Sequence, residues 1–323
     1  MVQTDSRSDR LKELLRGGIC SRRDFLELSG RYTAGFVGLS TLRPTWLFAE
    51  EELPPTVDLA VAMNGTPAQL VRTAIASLGG MSRFVSKGDI VVVKPNIAWD
   101  RSPEQAATTN PEVVAEVIRL CLEAGAKKVK VFDRACNNPM RTYVNSGIKE
   151  AAEAVGAEVS HVARPGFVEI DMPENELLRS WKLYKPALDC DCLINVPIAK
   201  QHGVSELTLG MKNLMGIMGG DRGRIHWRIH EYLPELSAFV RPKLTLIDAV
   251  RILVANGPQG GNPKDVRKLD TVIASPHIAS VDAYAATLFG MSPNDLGFIT
   301  YGHKLGLGEI ALDKLKTAKT DLS

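Results

Sequence analysis

The chain has 323 residues, 45% of them hydrophobic and 24% charged, with a formal net charge of +2. That length and apolar content support a sizeable core without disulfide or metal staples, and a charge so near neutral argues against nucleic acid as the main partner. No uninterrupted apolar run reaches the ~18 residues of a membrane span.

The first segment reads as an address. Ser21-Arg22-Arg23-Asp24-Phe25-Leu26 resembles a twin-arginine export signal, and a mildly apolar stretch from Tyr32 to Leu42 follows it. Trp46-Leu47-Phe48-Ala49 then meets Glu50-Glu51-Glu52 and Pro54-Pro55, an acidic junction where cleavage after Ala49 is an option and an uncleaved anchor is another. The expectation is a signal segment over residues 1–49 and a single α/β domain over 50–323. The twin-arginine translocation machinery is the expected partner. The expected location is periplasmic or extracytoplasmic, with membrane contact only in transit or through a retained signal.

The remainder alternates strand-like and helix-like segments, which predicts an open, doubly wound α/β fold with a largely parallel sheet and helices on both faces. A weak strand from Val57 to Ala62 precedes a helix near Pro67 to Leu78. Ile90-Val91-Val92-Val93 is a run of β-branched residues suited to a strand buried on both sides, and it leads into Lys94-Pro95-Asn96. A helix starts at Pro111, capped by Thr109 or Asn110, and stops at Gly125. Val129 to Phe132 is the next strand and delivers Asp133-Arg134. Leu193 to Val196, Leu244 to Ile247 and Thr271 to Ala274 repeat the pattern, followed by Lys200-Gln201-His202, by Asp248 and by Ser275.

Ligands of open parallel sheets bind outside the carboxyl ends of the strands. The polar groups that follow these strands are therefore the candidate site. Lys94, Asn96, Arg134, Asn195, Lys200 and Asn213 are the expected ligand-binding residues. Amines and a guanidinium suit a carboxylate or phosphate, and amides suit its orientation. His202, Asp133, Asp248 and Lys212 are the acid–base candidates. Lys212 and Asn213 interrupt an otherwise apolar segment that Ser205 is expected to cap, and a partly buried Lys there can bind an anion or act as a base. A snorkelling surface lysine is the plain alternative.

Other motifs carry less. Gly219 to Arg224 is a Gly-rich loop without a phosphate-loop pattern. His226 and His230 are four apart and would share a helix face, but Trp227, Arg228 and Tyr232 around them suit a packed surface, so no metal site is expected. Cys190 and Cys192 alternate along a strand and read as core thiols on one face. No nucleophile elbow is present. The nature of any cofactor is unknown from these residues.

Lys94-Pro95-Asn96-Ile97-Ala98-Trp99, Glu104 to Pro111, Asp133-Arg134, Asn195-Val196-Pro197, Lys200-Gln201-His202, Lys212 to Gly216 and Asp248-Ala249 together resemble the bacterial and archaeal family of domain of unknown function 362. The resemblance implies relatives that carry a ferredoxin-like iron–sulfur segment, whose Cys run this chain lacks. The leading expectation is an exported enzyme acting on a small anionic molecule. The rivals are a non-catalytic periplasmic ligand- or metal-binding or maturation factor, and a redox accessory to an iron–sulfur partner.

Overall fold

The computed structural model describes residues 57–323. The arginine pair, the apolar stretch and the acidic junction lie outside the described residues.

The strands are β1 (Leu59–Met63), β2 (Ile90–Pro95), β3 (Lys128–Val131), β4 (Glu158–Val159), β5 (Phe167–Asp171), β6 (Ser180–Tyr184), β7 (Cys192–Val196), β8 (Ile198–His202), β9 (Glu206–Thr208), β10 (Leu244–Leu253), β11 (Val266–Ser275) and β12 (Thr317–Asp321). The helices are α1 (Pro67–Ser77), α2 (Pro111–Glu123), α3 (Pro139–Asn145), α4 (Ile148–Ala154), α5 (Lys185–Leu188), α6 (Gly210–Asn213), α7 (Ile229–Val240), α8 (Ile278–Thr287) and α9 (Gly297–Lys304).

The main sheet runs β12-β1-β11-β10-β7-β2-β3-β4, and β8 and β9 extend from β10. Strands β10, β7, β2, β3 and β4 are mutually parallel. Alternate side chains of each strand point to opposite faces, and both faces are covered. Ala60, Val91, Val93, Val131 and Ile194 pack under α1, α2 and α4. Leu59, Val61, Val92, Leu193 and Ile247 pack under α7, α8 and α9. The fold is thus α/β, with a mostly parallel mixed sheet. Asn110 caps α2 through the Glu112 N–H, with Pro111 at its first position, and Gly125 turns the chain at φ 95°.

Three local expectations are corrected. β11 runs antiparallel to both its neighbours, so Ser275 faces Thr245 near the amino end of β10 and lies at the opposite edge from the candidate site. Ser205 caps no helix: β8 and β9 form a hairpin there, which carries Lys200 and His202 on a strand, and the helix begins at Gly210. Cys190 precedes β7 and packs on the core opposite to the one that holds Cys192, so the two thiols do not share a face. Burial holds both thiols up, at about 11 and about 12.

Candidate functional site

A cavity of about 350 Å³ opens beyond the carboxyl ends of β2 and β3. Its lining includes Asn96, Trp99, Asp133, Arg134, Cys136, His202, Lys212, Asn213, Arg222 and His226. The parallel strands bring Asn96 and Asp133 to one edge. The segment from Gly210 to Arg228 folds across it, as a short helix and two 3-10 turns.

The floor is an ion pair. Lys94 is fully buried, and its Nζ donates to Asp133 Oδ1 at 2.8 Å and to the Pro95 carbonyl at 2.9 Å. Asp133 Oδ2 accepts the Ile97 N–H at 2.7 Å. Burial outweighs the carboxylate and holds the Lys94 pKa below its ordinary value. Gly216 crosses directly above this pair: a Cβ there would fall 1.7 Å from Asp133 Oδ1.

Along the wall, three amides are chained, two of them in the lining. Lys200 Nζ donates to Asn96 Oδ1 at 3.3 Å, Asn96 Nδ2 to Asn213 Oδ1 at 3.1 Å, Asn213 Nδ2 to Asn195 Oδ1 at 2.9 Å, and Asn195 Nδ2 to the Gly210 carbonyl at 2.9 Å. Lys200 also donates to the Ala107 carbonyl at 2.5 Å, and burial pushes its pKa down to about 7. Asn195, Asn213, Lys94 and Lys200 are therefore engaged with protein partners and hold the wall in place. Asp282 anchors the start of α6 by accepting the Gly210 and Met211 N–H groups at 2.6 and 3.0 Å.

Lys212 differs from the other two lysines. It is 7% exposed and lines the cavity. Its Nζ meets only Met215 Sδ at 3.6 Å and His226 Nε2 at 3.4 Å, with no oxygen acceptor among the described residues. Burial pushes its pKa down to about 8. His226 Nδ1 lies 3.0 Å from the Gly223 carbonyl, which assigns the proton to Nδ1 and leaves the Nε2 lone pair facing Lys212. Burial and the Lys212 charge both hold His226 below its usual pKa.

His202 stacks on His226 with centroids 5.7 Å apart. Its Nδ1 accepts the Val204 and Ser205 N–H groups, at 3.0 and 3.2 Å. Burial and Lys212 push its pKa down to about 3. The ring is thus neutral at ordinary pH and offers Nε2–H as a donor. That makes it a poor general acid or base and a good hydrogen-bonding wall. Lys212 and His226, 3.4 Å apart, are the titratable pair that His202 stacks against.

Arg134 lines the cavity but commits its guanidinium to the Met218 and Gly220 carbonyls, at 2.8 and 3.1 Å. Asp248 is a further correction. It lies outside the cavity lining, fully buried, with Oδ2 accepting the Asn110 N–H at 2.7 Å and Oδ1 the Val250 N–H at 3.0 Å. It fixes the start of α2, and burial pushes its pKa up to about 6. The histidine pair also separates: His226 faces the cavity, while His230 stacks on Phe298 with centroids 6.2 Å apart.

Trp99, Cys136, Arg222 and His226 were not among the expected site residues. Arg222 Nη1 donates to the Arg134 carbonyl at 2.7 Å, and its Nη2 to Cys136 Sγ at 3.1 Å. The one signal for it was the Gly-rich loop that contains it. Beyond Val254 the chain returns to the site. Gly257 N–H donates to Gln201 Oε1 at 2.7 Å, and Pro258 reaches the cavity lining.

A family model described as domain of unknown function (DUF362) matches residues 91–287. The chain belongs to that family. The DUF362 match takes in every strand end that builds the cavity. A thylakoid-associated protein of Synechocystis sp. is 31% identical over 251 residues, which span 75% of this chain and 76% of that protein. Among solved structures, the lactate racemase apoprotein of Thermoanaerobacterium thermosaccharolyticum aligns with a TM-score of 0.43 at 12% identity over 67% of this chain. A Thermotoga maritima protein aligns with the same score and identity over 71%. The alignments span 54% and 61% of those two proteins.

Proposed function

We propose that the protein binds a small anionic molecule, a carboxylate or a phosphate, in the cavity beyond β2 and β3, and acts on it as an enzyme after twin-arginine export. The observation that carries the binding is the Lys212 ammonium, buried and without an oxygen acceptor among the described residues. A buried cation without a counter-charge is costly, and an anion in the cavity supplies that charge. Arg134 and Arg222 add positive potential, and Asp133, the one carboxylate in the lining, is already paired with Lys94.

The chemistry follows from the same pair. An ammonium pushed down to about 8 and resting on an imidazole lone pair gives up its proton more readily than an ordinary lysine, and would serve as a general acid toward the ligand it holds. The neutral His202 ring and the Asn96 amide would orient the ligand at the wall.

Calorimetric titration with inorganic phosphate and with short carboxylates tests the binding. The native chain should bind one of them, and Lys212→Met should lose that affinity while its unfolding transition is retained. Equal affinity in the two proteins removes Lys212 as the anchor. Export is tested by fractionating cells that make the full chain: R22K/R23K together should hold it in the cytoplasm, and unchanged distribution would remove the address.

A further inference from the structure

Cys136 stands where the cavity meets solvent. It is the exposed member of the four thiols among the described residues: Cys121 and Cys192 are buried and Cys190 is partly buried. Its backbone is fixed by the Cys136 N–H donating to the Ala98 carbonyl at 2.8 Å, and its Sγ receives Arg222 Nη2 at 3.1 Å. That contact fixes the sulfur at the cavity edge, and an accessible cysteine sulfur is a nucleophile. The second observation is separate from the thiol. Lys212, aimed into the same cavity, has no oxygen acceptor among the described residues. The Lys212 amine and the Cys136 thiol thus share one lining.

We infer that Cys136 is a nucleophile toward an anionic ligand carrying an electrophilic carbon, held by Lys212 so that this carbon faces the sulfur. This rests on the anion-site reading above and adds a substrate class to it: a carboxylate or phosphate ester with a leaving group on a nearby carbon. In the step, the Cys136 Sγ–C bond forms and the bond from that carbon to the leaving group breaks. The leaving group departs with the bonding pair, and the thiol proton goes to solvent at the mouth. Arg222 is a positioning residue, since it also holds the Arg134 and Ala135 carbonyls that set the height of the thiol.

Alkylation of the native full chain by iodoacetate and by iodoacetamide tests this, with peptide mapping to separate Cys136 from Cys20 and the buried thiols. The probes deliver nearly the same group to sulfur and release iodide, but only iodoacetate is anionic. The ratio of the iodoacetate to the iodoacetamide rate at Cys136 should exceed that in the urea-unfolded chain by ~10-fold or more, as expected of a cleft lined by one sign of charge. Inorganic phosphate should slow iodoacetate selectively, and Lys212→Met should lower the ratio toward the unfolded value. If phosphate binds by calorimetry and the ratio at Cys136 equals that of the unfolded chain, the nucleophile inference fails and the anion site stands. If phosphate and carboxylates fail to bind the native chain and the ratio is also unraised, both fail together.

Discussion

Gly216 and Asp133 are in such close approach that the glycine has no room for a side chain: its missing Cβ would lie 1.7 Å from Oδ1. The same Cβ would lie 2.6 Å from Lys94 Nζ, so one absent methyl group keeps the buried pair together. The φ of Gly216 is not among the positive ones, so the requirement is space alone. Gly216→Ala should displace either the ion pair or the segment above it. The expected loss is about 1–3 kcal/mol of stability, the usual range for overpacking, together with weakened anion binding. Urea unfolding midpoints and calorimetry on the same variant check both.

Removing one charge from that pair should cost more than removing both. Asp133→Asn leaves the Lys94 ammonium buried without its carboxylate, and a broken buried pair typically costs about 3–5 kcal/mol. Lys94→Met combined with Asp133→Asn should be more stable than Asp133→Asn alone. A double variant no more stable than the single one would show that Lys94 is neutral in the native protein.

Anion affinity should fall as pH rises through about 8, where the free protein's Lys212 loses its proton. Only the ammonium form offers a charge to the ligand, and bound anion raises that pKa by linkage. Phosphate titrations at pH 7 and pH 9 in constant salt should differ in the native protein and converge in Lys212→Met. Phosphate changes its own charge near pH 6–7, so a permanently charged sulfonate serves as the control probe.

Stability of the free protein should rise between about pH 7.5 and 9. Lys200 and Lys212 stand at about 7 and about 8 when folded, against 10.5 unexposed to the fold. In that window the unfolded chain holds protons that the folded chain has released, so higher pH favours the folded state. Below their folded values this contribution is lost. Asp248 and Asp282, raised to about 6 and about 7, act in the opposite sense: their share is complete below 3.8 and lost as pH rises through those values. Denaturant midpoints across the upper window should slope upward, and the slope should shrink in Lys212→Met.

Much of the cavity floor was legible because β2 and β3 are buried on both faces and write themselves as apolar runs. Lys94, Asn96 and Asp133 fall where those runs stop, at one edge of a parallel sheet. Strand direction is not written in hydrophobicity, which is why Ser275 was placed at the wrong edge. Pro197 hid β8, since a short strand after a proline lacks the length that periodicity needs. Asp248 and Asp133 look alike in sequence, each a carboxylate after a strand. Their partners separate them: two backbone N–H groups for one, an amine and one N–H for the other. Cys136 and Arg222 are 86 positions apart, and no local pattern predicts that their side chains meet.

The amide row along the wall has a single polarity. Each of Asn96, Asn213 and Asn195 accepts from the group before it and donates to the group after it, from Lys200 through to the Gly210 carbonyl. No member can turn over by itself without setting oxygen against oxygen or N–H against N–H. The row therefore holds its direction as a unit: even a neutral Lys200 amine keeps one N–H for Asn96 and one for the Ala107 carbonyl, so the wall beneath the short helix that carries Lys212 keeps its polarity across the titration of Lys200.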